Sequence, residues 1–415
     1  MKKARVAVVL VTIAVALFLL NVSPAMAQQK GPIKIGFIVP VSGAFAQVGK
    51  DMMDGLQLYL EDIGYQAAGR KIEVITEDDE AVPATTLIKA RKLVEKDGVH
   101  IVFGTFLGAS GYALGPYVDS KQVPAVMPIV SPDDLTQRQR SKWLIRTGWN
   151  SSQPNHPFGE YAYDVMKMRK VISIAPDFAT GWECVGGFQK TFEEKGGRIL
   201  QKIWFSIGTK DFSPYFSQIA KAAPDGLYVI TAGRETIQFF NQYQDFGLKA
   251  KIPVIGPGMP TDEHTLPSQG DEMLGVVTVL HYSAALDNPA NKAFVKKFRE
   301  RAKKVPGYYA ETCNTGGRWM VEAIKAIQGD VENRSRLMEA LRKVELKDIP
   351  RGPMKLDAYN NPVQNVYVRK VERVGGELQN TVIHTFPNVS QFWKYKPEEF
   401  LKQPVYSREF PPLKQ

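Results

Sequence analysis

Cysteine is nearly absent. Cys184 and Cys313 are the only two in 415 residues, too few to staple a chain of this length, so a disulfide scaffold is excluded. They lie far apart with no CxxC between them, which predicts isolated buried thiols. Histidine is scarce as well. His100, His156, His264, His281 and His384 are scattered without metal-ligand spacing. The chain has no GxSxG elbow, HExxH motif or P-loop, and no GxGxxG fingerprint follows its first predicted strand. Without a nucleophile, base or metal set, no enzyme, cofactor or metal is expected. The acidic run Glu77-Asp78-Asp79-Glu80 reads as a solvated loop ahead of a helix opened by Pro83. The net charge is +10, but the basic residues are spread along the chain. Their densest run, Lys296 to Lys304, fits the solvated face of a helix. No zinc spacing, recognition helix or aromatic-basic RNA motif accompanies them, so nucleic acid is not an expected partner. A second long apolar run is also missing, which excludes a multi-span membrane protein.

The one long apolar run spans Val6 to Leu20, behind Lys2, Lys3 and Arg5 and ahead of Pro24 and Ala25-Met26-Ala27. A basic start, a short apolar middle and a small-x-small end predict a secretory signal peptide over residues 1–27, cleaved after Ala27. No cysteine follows, so no lipid anchor is expected. The remaining chain, with 44% hydrophobic and 23% charged residues overall, can bury a large core, and its length suits two or three domains of about 150 residues each.

Lys34 to Pro40 is a continuous apolar run too short for a buried helix, so it predicts a buried parallel strand. A helix over Gln47–Asp62, a strand over Lys71–Thr76, a helix over Pro83–Lys96, a strand over Ile101–Phe103, a helix over Gly108–Ser120 and a strand over Ala125–Met127 follow. The same alternation restarts after Trp149, with strands at Lys170, Arg198, Gly226 and Val254 and helices between them. Two doubly wound α/β lobes in series are therefore expected. Three helices lie between Asp287 and Lys343. Lys355 to Phe386 alternates as an antiparallel hairpin turning at Val374-Gly375-Gly376-Glu377. The segment after Pro387 reads as a surface tail.

Ligands of open α/β sheets sit beyond the carboxyl ends of the strands. Here those ends are Val41 to Val48, Gly104 to Gly111, Pro128 to Asp134, Pro176 to Trp182, Thr231 to Arg234 and Gly256 to Asp262. Gly108-Ala109-Ser110 opens a helix, and Ser131-Pro132 reads as a cap and first helical position. Two helix N-termini at one site would receive an anion such as a carboxylate. Phe45, Phe106, Tyr112, Phe178, Trp182 and Tyr282 near the mouth suit a planar apolar solute.

The segments "IKIGFIVPVSGAFAQVGKDMMDGLQLYLEDI", "VHIVFGTFLGAS", "VPAVMPIVSPDDLTQ", "DFATGWE" and "NPANKAFVKKF" resemble the branched-chain amino-acid type of periplasmic binding protein, the type I solute receptors of ABC importers. The resemblance implies two lobes joined by a three-crossing hinge. Lobe 1 would comprise residues 32–148 and 282–355, lobe 2 residues 149–281 and 356–390, with residues 391–415 as the tail. It implies a monomer in the periplasm that hands its solute to membrane permease subunits, or the ligand-sensing subunit of a signalling receptor. By position, first-lobe contacts would come from Phe45, Gly108, Ala109, Ser110, Ile129, Val130 and Ser131. Second-lobe contacts would come from Phe178, Thr180, Trp182, Ala232, Arg234 and Gly258, with Tyr282 at the crossing. Amino-acid binders carry an acidic residue for the ligand's ammonium group where this chain has Gly256-Pro257-Gly258-Met259. The expected ligand is therefore a small organic acid, aromatic or hydrophobic. The alternative is an amino acid whose ammonium group is met by Asp262 or Glu263.

Overall fold

In the computed structural model, residues 30–414 are described. The expected signal peptide lies outside them, and Lys30–Pro32 carry no regular structure. From Ile33 onward the chain builds two sheets. The first has the order β2-β3-β1-β4-β5-β6, formed by β1 (Ile33–Val39), β2 (Gln66–Ala67), β3 (Arg70–Asp78), β4 (Ile101–Gly104), β5 (Ala125–Met127) and β6 (Leu144–Arg146). All pair parallel except β2. β1 lies in the middle, and six of its seven residues are buried, as expected of a continuous apolar run between two helical layers.

Helices α1 (Ala46–Asp62), α2 (Pro83–Arg91) and α3 (Gly108–Lys121) connect these strands. α1 buries Val48, Met52, Leu56 and Leu60 at helical spacing. The helix expected to reach Lys96 is α-helical only to Arg91, and Lys92–Lys96 continue as a wider π turn.

The second sheet runs β12-β13-β14-β11-β10-β9-β7-β8, with β15 beside β14. Its parallel part is β7 (Lys170–Pro176), β8 (Arg198–Phe205), β9 (Gly226–Val229), β10 (Val254–Pro257) and β11 (Val277–Leu280). Its antiparallel part is β12 (Glu345–Leu346), β13 (Met354–Leu356) and the hairpin β14 (Pro362–Val374) and β15 (Glu377–Val389). Helices α4 (Asn155–Asp164), α5 (Ala179–Glu194), α6 (Ser213–Ala222) and α7 (Arg234–Asp245) flank it. α8 (Pro289–Ala302), α9 (Tyr308–Ala326) and α10 (Arg334–Lys343) follow β11 and return to the first lobe, where α9 packs along α1. The helices meet closely at Gly55, where a Cβ would sit 2.0 Å from the Ala310 carbonyl oxygen.

The chain crosses between lobes after β6, after β11 and after α10. A fully buried arginine marks each crossing. Arg146 donates to Thr136, Asn361 and the Pro132 carbonyl. Arg369 donates to the Tyr282 and Gly258 carbonyls. Arg351 donates to Glu311, the Thr147 carbonyl and Gln364.

One boundary differs from the sequence reading. β12 and β13 pair into the second sheet, so the return to lobe 1 ends near Val344 rather than at residue 355. Residues 391–414 run along the surface and are fastened to it at a few buried points. Phe392, Phe400 and Tyr406 form a small buried cluster, the Tyr406 hydroxyl shares a 3.0 Å hydrogen bond with His156 Nε2, and Trp393 Nε1 donates to Glu160. Both thiols are free and buried, Cys184 in α5 and Cys313 in α9.

Candidate ligand-binding cleft

The cleft is built from loops at the carboxyl ends of both sheets. In lobe 1, α3 begins at Gly108 behind an extended Leu107, and no side chain caps it. The first N–H groups of the helix are thus left for an anion, and the helix dipole adds a partial positive charge. A Cβ on Gly108 would meet Pro132 Cγ at 2.5 Å, so only glycine lets this loop lie against Ser131-Pro132. Ala109 is exposed, but Ser110 is fully buried and shares a 2.8 Å hydrogen bond with Thr86 Oγ1. Thr86 in turn donates to Asp79. The Ser110 hydroxyl is therefore turned into lobe 1, which leaves its backbone N–H as the group it could offer to a ligand. Ile129 and Val130 are likewise core side chains, which leaves their backbone.

Ser131 stays at the interface of the lobes. Ser151, on the first crossing, lies 3.1 Å from its carbonyl and 3.2 Å from its hydroxyl, with one proton to donate between them. The expected α-helix behind it does not form. Pro132 flanks a short 3-10 turn, Asp133–Thr136, so the site has one α-helix N-terminus in lobe 1, not two.

Phe45 closes a turn at the end of β1 and packs on Phe106 with ring centroids 4.8 Å apart. Phe106 meets Tyr309 at 6.0 Å, and Tyr309 meets Tyr308 at 4.0 Å and His264 at 5.8 Å. This aromatic line joins four segments distant in sequence. In lobe 2, Phe178 is exposed and Thr180 half-buried at the start of α5. Trp182 is pinned, its indole N–H donating to Asp177 at 2.9 Å, and Arg408 of the tail holds the same carboxylate. Ala232 and Arg234 are exposed on either side of Gly233 (φ +56°). Arg234 opens α7 and makes no ion pair among the described residues. Tyr282 is fully buried against Phe294 with its carbonyl held by Arg369, so it lies inside the crossing rather than at the mouth.

The periplasmic binding protein family model matches residues 32–377. The chain belongs to that family. It is a type I member of the branched-chain amino-acid-binding group, and receptors of this kind are solute-binding subunits of ABC transporters, not catalysts, and work outside the cytoplasm. A Leu/Ile/Val-binding protein homolog 6 of Brucella melitensis is 30% identical over 90% of this chain and 95% of its own. A solute-binding protein of Rhodopseudomonas palustris BisB5, solved with 3,4-dihydroxybenzoic acid, is 32% identical, with a TM-score of 0.83 over 87% of this chain and 99% of its own. Another from R. palustris, solved with benzoate, is 29% identical, with a TM-score of 0.80 over 87% and 98%.

In this periplasmic binding protein, the loop Gly256-Pro257-Gly258-Met259 at the end of β10 carries no acidic residue. Gly258 is buried, and a Cβ there would meet Arg369 Nη2 at 2.5 Å and Leu280 Cδ2 at 2.7 Å. A guanidinium thus fills the space an acidic side chain would need. Asp262 is not available either. It accepts from the His264 backbone and Nδ1 and from the Tyr308 N–H. Burial opposes its charge, but these bonds prevail and hold its pKa below the usual carboxylate value. Burial likewise opposes the imidazolium, and the bond to Asp262 keeps His264 above its usual value. Glu263 accepts from Asn380 at 3.0 Å. Burial pushes it up to about 7 despite the nearby charge of Arg369. Tyr308, Tyr309, His264 and Arg369 were not singled out from sequence as site residues. None of them carried a visible signal, since even Arg369 stands in β14 beside Lys370 and ahead of Arg373.

Proposed function

We propose that the protein captures a small aromatic carboxylic acid between its lobes and delivers it to the permease of an ABC importer. The carboxylate would sit on the N–H groups of Gly108 to Ser110 and the Ser131 hydroxyl, with the ring against Phe45 and Phe106. Phe178, Thr180, Ala232 and Arg234 would close over it from lobe 2. The protein would act as a periplasmic monomer, released by cleavage after Ala27, without cofactor, metal or nucleic acid.

The buried Arg369 guanidinium beside Gly258 carries this reading. An α-amino acid would bring its ammonium group towards a cation, with Asp262 already committed. An unpaired buried ion costs several kcal/mol, against the roughly 8 kcal/mol that micromolar binding requires. The benzoate and dihydroxybenzoate complexes of the relatives support the same ligand class. A thermal-shift and calorimetric screen tests it. Benzoate, 4-hydroxybenzoate or 3,4-dihydroxybenzoate should raise the melting temperature, while leucine, isoleucine and valine leave it unchanged. Micromolar leucine binding with inert aromatic acids would overturn the proposal.

A further inference from the structure

Behind Ser131 the lobes meet where the backbone of one buried acidic residue, Asp133, bonds the carboxyl group of another, Glu183. Asp133, two residues beyond Ser131, belongs to lobe 1. Glu183, the residue after Trp182, belongs to α5 of lobe 2. The Asp133 N–H donates to Glu183 Oε1 at 3.1 Å, and Asp133 Oδ1 accepts from the Ser152 N–H at 3.0 Å. Both residues are 2% exposed. Ser151, which donates to Ser131, is also within bonding reach of Glu183. The carboxyl pair therefore stands directly behind the group assigned to the ligand's carboxylate.

Charge around the pair does not balance. From lobe 1, Arg146 is the facing cation, but its donors go to Thr136, Asn361 and the Pro132 carbonyl. Asp134 is matched by Arg138 at 2.9 Å. Tyr112 faces the pair from α3, Cys184 lies on Glu183's own helix, Tyr406 approaches from the tail, and Asp357 stands near Arg146. None of these supplies a second cation. Two buried carboxylates with one shared arginine retain a proton more readily than they would in water. A third carboxylate arriving at Ser131 adds to the same repulsion.

We infer that Glu183 and Asp133 hold a shared proton behind the ligand site, and that capture of a carboxylate ligand draws a proton onto this pair. The inference rests on the placement of the ligand carboxylate proposed above. It makes Glu183 a positioning residue that sets the charge of the site and favours a singly charged acid. Burial raises Asp133 to about 6 and Glu183 further above its usual value, with each carboxylate opposing the other. The sign follows from linkage. The bound state carries more protons than the free state, so affinity falls as pH rises through the window from about 6 upwards, by at most about tenfold per pH unit when one full proton is taken up.

The experiment is calorimetry with benzoate between pH 6 and 8.5, in buffers of different ionisation enthalpy, on wild type and Glu183→Gln. The glutamine keeps an oxygen for the Asp133 N–H but cannot ionise. Wild type should take up protons and lose affinity with pH, whereas E183Q should take up fewer and show a flatter profile. A flat wild-type profile without proton uptake, or an E183Q profile as steep as wild type, would overturn the inference. Ligand-free unfolding over the same range reads the pair alone. Because its folded-state pKa values are raised, wild type should lose stability relative to E183Q as pH rises; parallel curves would overturn the shared proton even if no aromatic acid binds. Failure of benzoate to bind at any pH, with the ligand-free curves diverging, would instead overturn the ligand class and with it the coupling to capture.

Discussion

Replacing Arg351 with methionine tests how the third crossing is held. Arg351 and Glu311 are both fully buried. Arg351 Nε donates to Glu311 at 2.8 Å and 3.0 Å, and Nη1 donates to the Thr147 carbonyl at 3.1 Å and to Gln364 at 3.2 Å. One side chain thereby ties α9, the first crossing and β14 together. In the variant, Glu311 keeps Thr315 as a donor at 2.7 Å, but its charge loses its partner inside a dry core. Breaking a buried pair from one side costs about 3–5 kcal/mol, because the other charge is left uncompensated. Substituting Glu311→Leu in the same chain removes that charge, so the double variant should regain most of the loss. Urea unfolding followed by circular dichroism and tryptophan fluorescence measures both. A single-variant loss below about 1 kcal/mol, or a double variant no more stable than the single, would refute the assignment of the energy to buried charge.

Gly55→Ala should destabilise the protein by about 1–3 kcal/mol, because the added methyl meets the Ala310 carbonyl oxygen at 2.0 Å and forces α1 from α9; a higher urea midpoint would show that helix propensity outweighs the clash. Ser131→Ala should weaken benzoate binding by about 1.5–3 kcal/mol, whereas Ser110→Ala should leave affinity unchanged and cost about 1 kcal/mol of stability through its lost bond to Thr86. Equal affinity losses from both serines would place the Ser110 hydroxyl in the cleft after all.

The parallel strands were legible because burial on both faces demands near-continuous apolar runs, and β1 from Ile35 and β7 from Val171, interrupted only by Ser173, have them. Other elements lacked such a pattern. α4 reads NHPFGEYAYD and is buried nearly all round, so no polar stripe gave it a helical period. β6 is three residues long and β12 only two, too short to alternate. In the cleft, the loop positions followed from topology, but side-chain direction did not. Ser110 and Ser131 look alike in sequence. One turns to Thr86 and the other faces the crossing because the neighbouring strands and helices leave each a single polar partner. Tyr309 and His264 lie far from Phe106 along the chain, and only the start of α9, set between the first lobe and the loop after β10, brings the three rings together.

The two thiols fall one to a lobe, Cys313 on α9 and Cys184 on α5, both sealed from solvent. Burial raises each well above its usual pKa, so in the folded protein neither is a reactive thiolate. Each becomes a nucleophile only when its own lobe opens. An alkylating reagent therefore reads two clocks from the unmodified protein, one per lobe, separated by mass after digestion. A ligand that merely clamps the lobes together would slow both clocks alike, whereas one that stiffens a single lobe would slow only that lobe's cysteine.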